Sequence, residues 1–247
     1  MAYEPRTYRT LHRKEDLYHF RVVVEETDLD IAVNKESYNK DVHQAVLAAV
    51  QKERQLLKSY IKRDPVFLTT LAPHPPLPGA PPQVMEMWDA SSLAGVGPMA
   101  AVAGLVAERV GQLLTGFSRE VIVENGGDIW LKSCRTRRVA IFAGASPFSY
   151  RLGLEIDPAQ TPLGICTSSG TIGHSLSFGC ADAVVILAHS ATLSDAVATA
   201  AGNMVKSAAD LEKAVGFALS IPGVSGAVAI LGDKLAAQGQ IKLVPIE

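Results

Sequence analysis

Three short stretches of small and polar residues, spaced along the chain, could hold a ligand. The first is Glu124-Asn-Gly-Gly-Asp128, a turn with an apolar run on each side. Its glycines, Gly126 and Gly127, let the backbone reach positive φ and bring its N–H groups close to a ligand. Asn125-Gly126 between two β-rich runs is also the strongest short hairpin signal, so a plain turn is the competing interpretation.

The second stretch, Cys166-Thr-Ser-Ser-Gly-Thr-Ile-Gly-His174, follows a predicted strand and is rich in hydroxyl groups. A loop of this composition can surround a polar ligand with hydrogen-bond donors and acceptors, so we interpret it as a binding loop. His174 alone is weaker evidence, because a single histidine is more often structural than catalytic. Further on, Cys180 is expected to be a small, buried, apolar side chain.

The third stretch lies on a predicted helix, Leu193 to Val205, that contains no Lys, Arg or Glu and should be buried on nearly all sides. Asp195, Thr199 and Asn203 nevertheless occur at four-residue steps and form one polar stripe. One explanation is a capping box, with Thr192 as the N-cap and Asp195 three residues later. That explanation leaves Thr199 and Asn203 unaccounted for. The alternative is a hard cation, Mg2+ or Ca2+, bound by the carboxylate of Asp195 and the hydroxyl of Thr199.

The elements that must position these stretches follow from the spacing of apolar residues. Short β-branched runs predict a hairpin within 18–33, a strand on each side of the glycine turn, and further strands near 139–142, 150–156, 164–167, 183–188, 226–231 and 240–244. Helical spacing predicts helices over 41–63 with Asn39 as N-cap, over 98–114, over 193–205 and over 208–219. Because the strands come in adjacent pairs, we predict an α+β fold.

The glycine-rich segment Ser91 to Ala100 is predicted to lead into the second helix, and it has two interpretations. The helix N-terminus would offer free N–H groups and a positive dipole to a phosphate or carboxylate. Alternatively, Gly95 and Gly97 only permit close packing. Before this segment, residues 73–82 contain six prolines in ten positions, which predicts a stiff surface connection.

Composition and charge exclude several classes of protein. The chain has 247 residues, 48% of them hydrophobic, and a net charge of -2, which gives no general attraction to nucleic acid or an anionic membrane. Residues 1–20 lack the apolar segment of a signal peptide, and charged residues interrupt the longest apolar stretches, which argues against a membrane span. The three cysteines suit neither a disulfide framework nor a zinc site. We therefore expect a cytoplasmic protein, with an N-terminal extension over 1–20 and one domain over 21–247.

Together, the three stretches resemble motifs of the ApbE-like superfamily, whose best-known members are the FAD:protein FMN transferases. Glu124 to Asp128 resembles the family's Gly-Gly-Asp motif, and Thr167 to Gly170 with His174 resembles its Thr-Ser-Gly and downstream His. Ser194-Asp-Ala-Val-Ala-Thr199 is similar to its Asp-Ala-x-x-Thr. Segments 26–29, 96–100 and 166–179 resemble the branch named uncharacterised protein family 0280.

The resemblance implies a fold, a ligand and a set of site residues. The fold would be ApbE-like and related to the T-fold, with two similar sheet-and-helix halves fused into one compact unit and the ligand between them. The small-molecule partner would be a flavin or related nucleotide, FAD or FMN, with Mg2+ bound by Asp195 and Thr199. Asp128 and His174 would be catalytic. The cofactor-binding residues would be Gly97, Asn125, Gly126, Gly127, Thr167, Ser168, Ser169 and Gly170.

Three functions stay open at this point. The first is a Mg2+-dependent enzyme that transfers a flavin or nucleotidyl group. The second, implied by the family 0280 branch, is sulfide use in homocysteine formation, with Cys166 as a thiolate; a buried core thiol is the competing interpretation. The third is a flavin-binding or scaffold protein without turnover, since the family's lysine-glycine pair is absent at Val96-Gly97. The hydrophobic helices also leave room for a homodimer.

Overall fold

The computed structural model describes residues 16–170 and 178–246, which form eleven strands and six α-helices. The strands are β1 Leu17–Val24, β2 Thr27–Asn34, β3 Val121–Asn125, β4 Asp128–Lys132, β5 Arg137–Ala140, β6 Leu152–Ile156, β7 Leu163–Ser168, β8 Ala183–Ala188, β9 Val224–Leu231, β10 Lys234–Gly239 and β11 Leu243–Pro245. The helices are α1 Lys40–Arg63, α2 Val66–Thr69, α3 Pro82–Ala94, α4 Val102–Leu114, α5 Ala191–Met204 and α6 Leu211–Ser220.

Eight of the strands form one antiparallel sheet in the order β1-β2-β3-β4-β7-β8-β9-β10. Along the chain, β1 and β2 are followed by helices and then by β3 and β4; β7 and β8 are followed by helices and then by β9 and β10. The two halves of the sheet therefore have the same order of elements. The predicted α+β fold with two similar sheet-and-helix halves is confirmed.

Each face of the large sheet is covered by a different layer. The helices pack on one face, where the larger core includes Val123, Trp130 and Cys166. A smaller sheet, β11-β6-β5, covers the other face, where a second core includes Ile165 and Leu154. Side chains alternate along a strand, so neighbouring residues such as Ile165 and Cys166 belong to opposite cores. The candidate site must accordingly lie on the helical side.

The connection before α4 differs from its prediction. Residues 91–94 are the last turn of α3, which was not predicted, and Gly95 ends that helix with φ 73°. Prolines 81 and 82 permit this helix because proline is tolerated in the first turn. Within the described part of the chain, no single helix is long and apolar enough to cross a membrane; Pro82–Ala94 and Pro98–Leu114 meet that criterion only jointly, with a bend of 103°.

Local signals did locate other elements well. Asn39 is the N-cap of α1, and its side-chain oxygen accepts the N–H of Val42 at 2.9 Å, as predicted. The glycine turn joins β3 to β4 as a tight hairpin, with Asn125 opposite Asp128. The turn therefore lies at the end of the sheet where β4 begins and β7 ends.

Candidate functional site

Asp128, Cys166 and Asp195 come together on the helical side of the sheet. Ile129 pairs with Ile165 across β4 and β7, and the same register places Asp128 opposite Cys166. Helix α5 lies directly on β7: a Cβ added to Gly164 would be 2.3 Å from the Cα of Ala191. Asp128 is 8% exposed, Cys166 is fully buried and Asp195 is half-buried. The sequence-predicted Asp128 and Asp195 therefore share one site.

This site raises the pKa of both carboxyl groups. Burial raises the pKa of Asp195 from 3.8 to about 7, partly offset by hydrogen bonds from the backbone of Gly104 and Ala103. Burial, and then the charge of Asp195, raise the pKa of Asp128 well above its usual value. A bound cation or a retained proton relieves such mutual repulsion, so the arrangement suits either.

Asp195 also caps helix α4. Its Oδ2 accepts the N–H of Gly104 at 2.8 Å, and the backbone of Ala103 donates to the same carboxylate. The first N–H groups of a helix have no partner within the helix, and a negative charge there is favourable. The sequence predicted that this helix N-terminus could bind an anionic ligand. In the structure, two of its N–H groups are instead bound by the carboxylate of Asp195.

Of the two interpretations of Asp195, the capping box with Thr192 does not hold. Helix α5 begins earlier than expected, and its N-cap is Ser190, whose Oγ accepts the N–H of Leu193 at 3.3 Å. Ser190 has the extended backbone typical of an N-cap, with φ -130° and ψ 136°. Thr192 lies inside the first turn instead. The side chain of Asp195 is therefore not part of a capping box of α5 and contacts the start of α4 instead.

The remaining members of the polar stripe differ in role. Asn203 accepts the N–H of Phe178 at 2.8 Å through its side-chain oxygen, so it holds the segment that returns from the binding loop. Thr199 lies between Asn203 and Asp195 on the same helix face and is half-buried. Asn203 is therefore explained without a ligand, and Thr199 stays a predicted cation ligand.

The glycine turn borders the start of α4. Gly126 and Gly127 have φ values of 71° and 103°, which favour glycine, and the N–H of Gly127 donates to Oε1 of Glu124 at 2.7 Å. The amide of Asn125 donates to the carbonyl of Ala103 at 3.1 Å. This contact ties the turn to the helix end that Asp195 caps.

The predicted binding loop is only partly described. Thr167 and Ser168 are the last residues of β7, and together with Ser169 they are half-buried, whereas Gly170 is exposed. Gly170 donates its N–H to the carbonyl of Ala181 at 2.8 Å. The predicted catalytic His174 lies outside the described residues.

Gly97 has a sufficient packing reason to be glycine. A Cβ at this position would be 1.9 Å from the carbonyl oxygen of Thr70. The close-packing interpretation of this segment therefore accounts for the residue without a ligand. Its role in cofactor binding stays a prediction.

The cysteines do not behave alike. The Cys166 backbone N–H donates to Ser194 Oγ at 3.2 Å, and its thiol lies 3.4 Å from the Ala191 carbonyl. Burial, followed by the charges of Asp128 and Asp195, raises the Cys166 pKa well above its usual value, which disfavours a thiolate. The prediction that Cys180 is buried is wrong: its backbone is held by Val205 and its side chain is exposed.

The oxygen donors of the site suit a weakly protein-bound cation. Within residues 16–170 and 178–246, no three His, Cys, Asp or Glu side chains form a group that could hold a metal ion. Mg2+ usually takes one or two carboxylates and completes its shell with water and phosphate oxygens. Asp195 and Thr199 could supply that smaller donor set, beside the second carboxyl group of Asp128. Two surface clefts, about 540 Å³ beside Glu155 and 430 Å³ beside Trp88, lie apart from these residues.

Two residues of α4 position α5 and were not recognised from the sequence. Oε2 of Glu108 accepts hydrogen bonds from Ser190 Oγ at 2.7 Å and from Thr192 N and Oγ at 3.1 Å each. A Cβ at Gly104 would be 2.2 Å from the carbonyl oxygen of Ala191. A glycine inside a predicted helix was the available signal for this close approach.

Comparison with known proteins gives consistent relatives. A family model described as AbpE bacteria matches residues 9–236. A UPF0280 protein of Methanocella arvoryzae is 44% identical over 200 residues, which is 81% of each chain, and one of Methanococcus aeolicus is 37% identical over 230 residues, or 91% of each.

Solved structures share the fold at low identity. The apo flavinyl transferase ApbE of Pseudomonas stutzeri aligns over 90% of this chain and 94% of its own, with a TM-score of 0.60 and 14% identity. The ApbE protein of Thermotoga maritima aligns over 90% and 96%, with a TM-score of 0.56 and 15% identity. At such identities the likeness concerns the fold alone.

Proposed function

Because the chain belongs to the family described as AbpE bacteria, we propose that it binds the diphosphate of a flavin dinucleotide, FAD, together with a divalent cation. The observation that carries this proposal is the convergence of Asp128 and Asp195, whose pKa values are both raised in one polar site. Two solved relatives of the same fold are named flavin transferases, which gives the class of ligand to test first.

The arrangement assigns separate parts of the ligand to separate residues. The carboxylate of Asp195 and the hydroxyl of Thr199 would hold Mg2+, which would supply positive charge against the diphosphate. Gly126 and Gly127 have no side chains, so a diphosphate can approach their backbone closely. The hydroxyl-rich end of β7, Thr167 to Gly170, lies beside them and would complete the polar wall.

The proposed reaction is the transfer of FMN from FAD to an acceptor hydroxyl. The acceptor oxygen forms a bond to the phosphorus of the FMN half, the bond from that phosphorus to the AMP oxygen breaks, and AMP leaves. Asp128 would accept the proton of the acceptor hydroxyl, a role favoured by its raised pKa. A cation at Asp195 would supply charge neutralisation on the phosphates. His174 stays a predicted catalytic residue.

The test is a titration of the purified protein with FAD, first with Mg2+ and then with EDTA, followed by flavin fluorescence. We expect binding that requires the cation, and release of AMP when an acceptor is present. In Asp195→Asn, Mg2+ should no longer strengthen FAD binding. In the control Asp233→Asn, at an exposed aspartate beside Lys234, Mg2+ should strengthen FAD binding as in wild-type protein. Equal binding with Mg2+ and with EDTA would contradict the cation assignment.

The same titration separates the alternatives. Cation-dependent FAD binding without AMP release would favour a flavin-binding protein without turnover. No FAD binding in either condition would reject the proposed ligand. The buried Cys166 thiol, with its raised pKa, gives no support to the sulfur hypothesis. A cytoplasmic location and a homodimer stay predictions.

A further inference from the structure

We propose that Glu108 is a positioning residue that holds the first turn of α5 so that Asp195 reaches the start of α4 and faces Asp128. The inference extends the proposed function, in which Asp195 binds the cation. Glu108 itself lies on α4, one helical turn beyond Gly104, and touches neither Asp195 nor Asp128 in any described contact.

Glu108 meets the first turn of α5 through one carboxylate oxygen. Its Oε2 accepts the hydroxyl of Ser190 at 2.7 Å, and both the N–H and the hydroxyl of Thr192 at 3.1 Å. Its other oxygen accepts the amide of Gln112 at 3.2 Å, one turn further along α4. A negatively charged acceptor makes such hydrogen bonds stronger, and it also interacts favourably with the positive N-terminal end of the α5 dipole.

The two helices cap each other in a reciprocal way. Glu108 of α4 binds the first turn of α5, and Asp195 of α5 binds the N–H of Gly104 at the first turn of α4. The contacts are one helical turn apart on each helix, so they restrict rotation of α5 about its axis as well as its distance from α4. Asp195 lies one helical turn after Ala191, the first residue of α5, and so follows directly on the turn that Glu108 holds. Rotation of this part of α5 would therefore move Asp195 relative to Asp128.

Helix α5 has a second attachment that does not involve Glu108. Ser194 Oγ donates to the carbonyl of Ile186 at 2.6 Å and accepts the N–H of Cys166 at 3.2 Å. These bonds hold α5 on the sheet. Removal of Glu108 should therefore leave the helix folded in place, with a looser first turn and a less fixed Asp195.

The experiment compares Glu108→Ala, Glu108→Gln and, as control, Glu212→Ala at an exposed glutamate in the first turn of α6. The first measurement is the Kd of Mn2+ in the absence of flavin. Loss of a residue that orients a ligand side chain weakens metal affinity by roughly 10- to 100-fold. We expect about tenfold weaker binding for Glu108→Ala and a smaller loss for Glu108→Gln, which keeps an acceptor oxygen.

The second measurement is amide hydrogen exchange of Ala103 and Gly104, whose N–H groups are bound by Asp195. Faster exchange in Glu108→Ala, with unchanged exchange in β8, is expected if Glu108 positions Asp195. This readout does not depend on a metal, so it tests the positioning even if wild-type protein fails to bind Mn2+ and the proposed function falls.

Unchanged exchange at Ala103 and Gly104 in Glu108→Ala would overturn the inference, as would exchange that rises equally throughout α5 and the sheet. If Glu108→Ala does not fold, Thr192→Val provides the same test, because it removes one hydroxyl donor to Glu108 and keeps the backbone bond. The same two amides should then exchange faster than in wild-type protein, and their unchanged exchange would again overturn the inference.

Discussion

The N–H of Gly104 lies 2.8 Å from Oδ2 of Asp195, so the residue that we propose as a cation ligand is also the cap of helix α4. A carboxylate has two oxygens and about four acceptor positions, which allows both roles at once. A substitution of Asp195 can therefore act through the helix, through the cation, or through both. The two effects can be separated by the choice of the new side chain.

Asp195→Asn and Asp195→Ala should differ in stability and agree in metal binding. Asparagine keeps an oxygen that can accept the N–H of Gly104, whereas alanine removes the cap, at a cost of about 1 kcal/mol. Neither variant keeps the charge that a hard cation requires. In urea unfolding without metal, we expect a lower free energy of unfolding for Asp195→Ala but not for Asp195→Asn. In the presence of Mg2+, we expect neither variant to be stabilised. Retained Mg2+ stabilisation in Asp195→Asn would contradict the assignment.

The effect of Mg2+ should depend on pH because the pKa of Asp195 is raised from 3.8 to about 7. A carboxyl group whose pKa is higher in the folded than in the unfolded protein stabilises the fold at a pH below its unfolded-state pKa. This stabilisation is lost as the pH rises through its folded-state pKa. Cation binding needs the ionised form, so its affinity should rise over the same interval. Thermal unfolding without metal should show this loss of stability, and added Mg2+ should stabilise more at about pH 8 than at about pH 6.

The matched control for this pH dependence is Asp195→Asn, which has no group that titrates at that position. In this variant, added Mg2+ should not increase the thermal stability at any pH. A Mg2+ increment in wild-type protein that stays constant between about pH 6 and pH 8 would show that the carboxyl of Asp195 does not govern binding.

The fold could be predicted where its signals are local. Asn39 caps α1 from three residues away, and the Gly126-Gly127 turn joins strands that follow directly. The site could be predicted only as separate motifs, because the contact of Asp195 with Gly104 joins residues 91 positions apart. The same separation explains why the capping-box interpretation of Thr192 did not hold: a local rule paired Asp195 with its nearest candidate, and the true partner lies far away in the sequence.

The three cysteines should differ in reactivity. Cys134 and Cys180 are exposed, whereas Cys166 is fully buried and its pKa is raised by burial and by Asp128. Since the thiolate is the reactive form, iodoacetamide should label Cys134 and Cys180 in native protein and Cys166 only after unfolding. Peptide mass spectrometry measures each site separately. Rapid native labelling of Cys166 would contradict its burial and revive the sulfur hypothesis.

Gly104→Ala should destabilise the protein because α4 and α5 are in contact at this residue. The added Cβ would be 2.2 Å from the carbonyl oxygen of Ala191 and 2.8 Å from the Cβ of Asp195, and the backbone of α5 would have to move. Overpacking of this kind costs about 1–3 kcal/mol. The same shift would displace Asp195, so we expect weaker Mn2+ binding as well as a lower free energy of unfolding.

The control is Gly216→Ala in α6, where an added Cβ would have no heavy atom within 4 Å. There the exchange removes only the entropic disadvantage of glycine in a helix, so stability should rise by about 0.5–1 kcal/mol with Mn2+ affinity unchanged. Because both variants replace a helical glycine by alanine, opposite signs in urea unfolding isolate the contact between α4 and α5. Equal stabilisation in both would mean that the two helices do not approach at Gly104, and the positioning of Asp195 would need another cause.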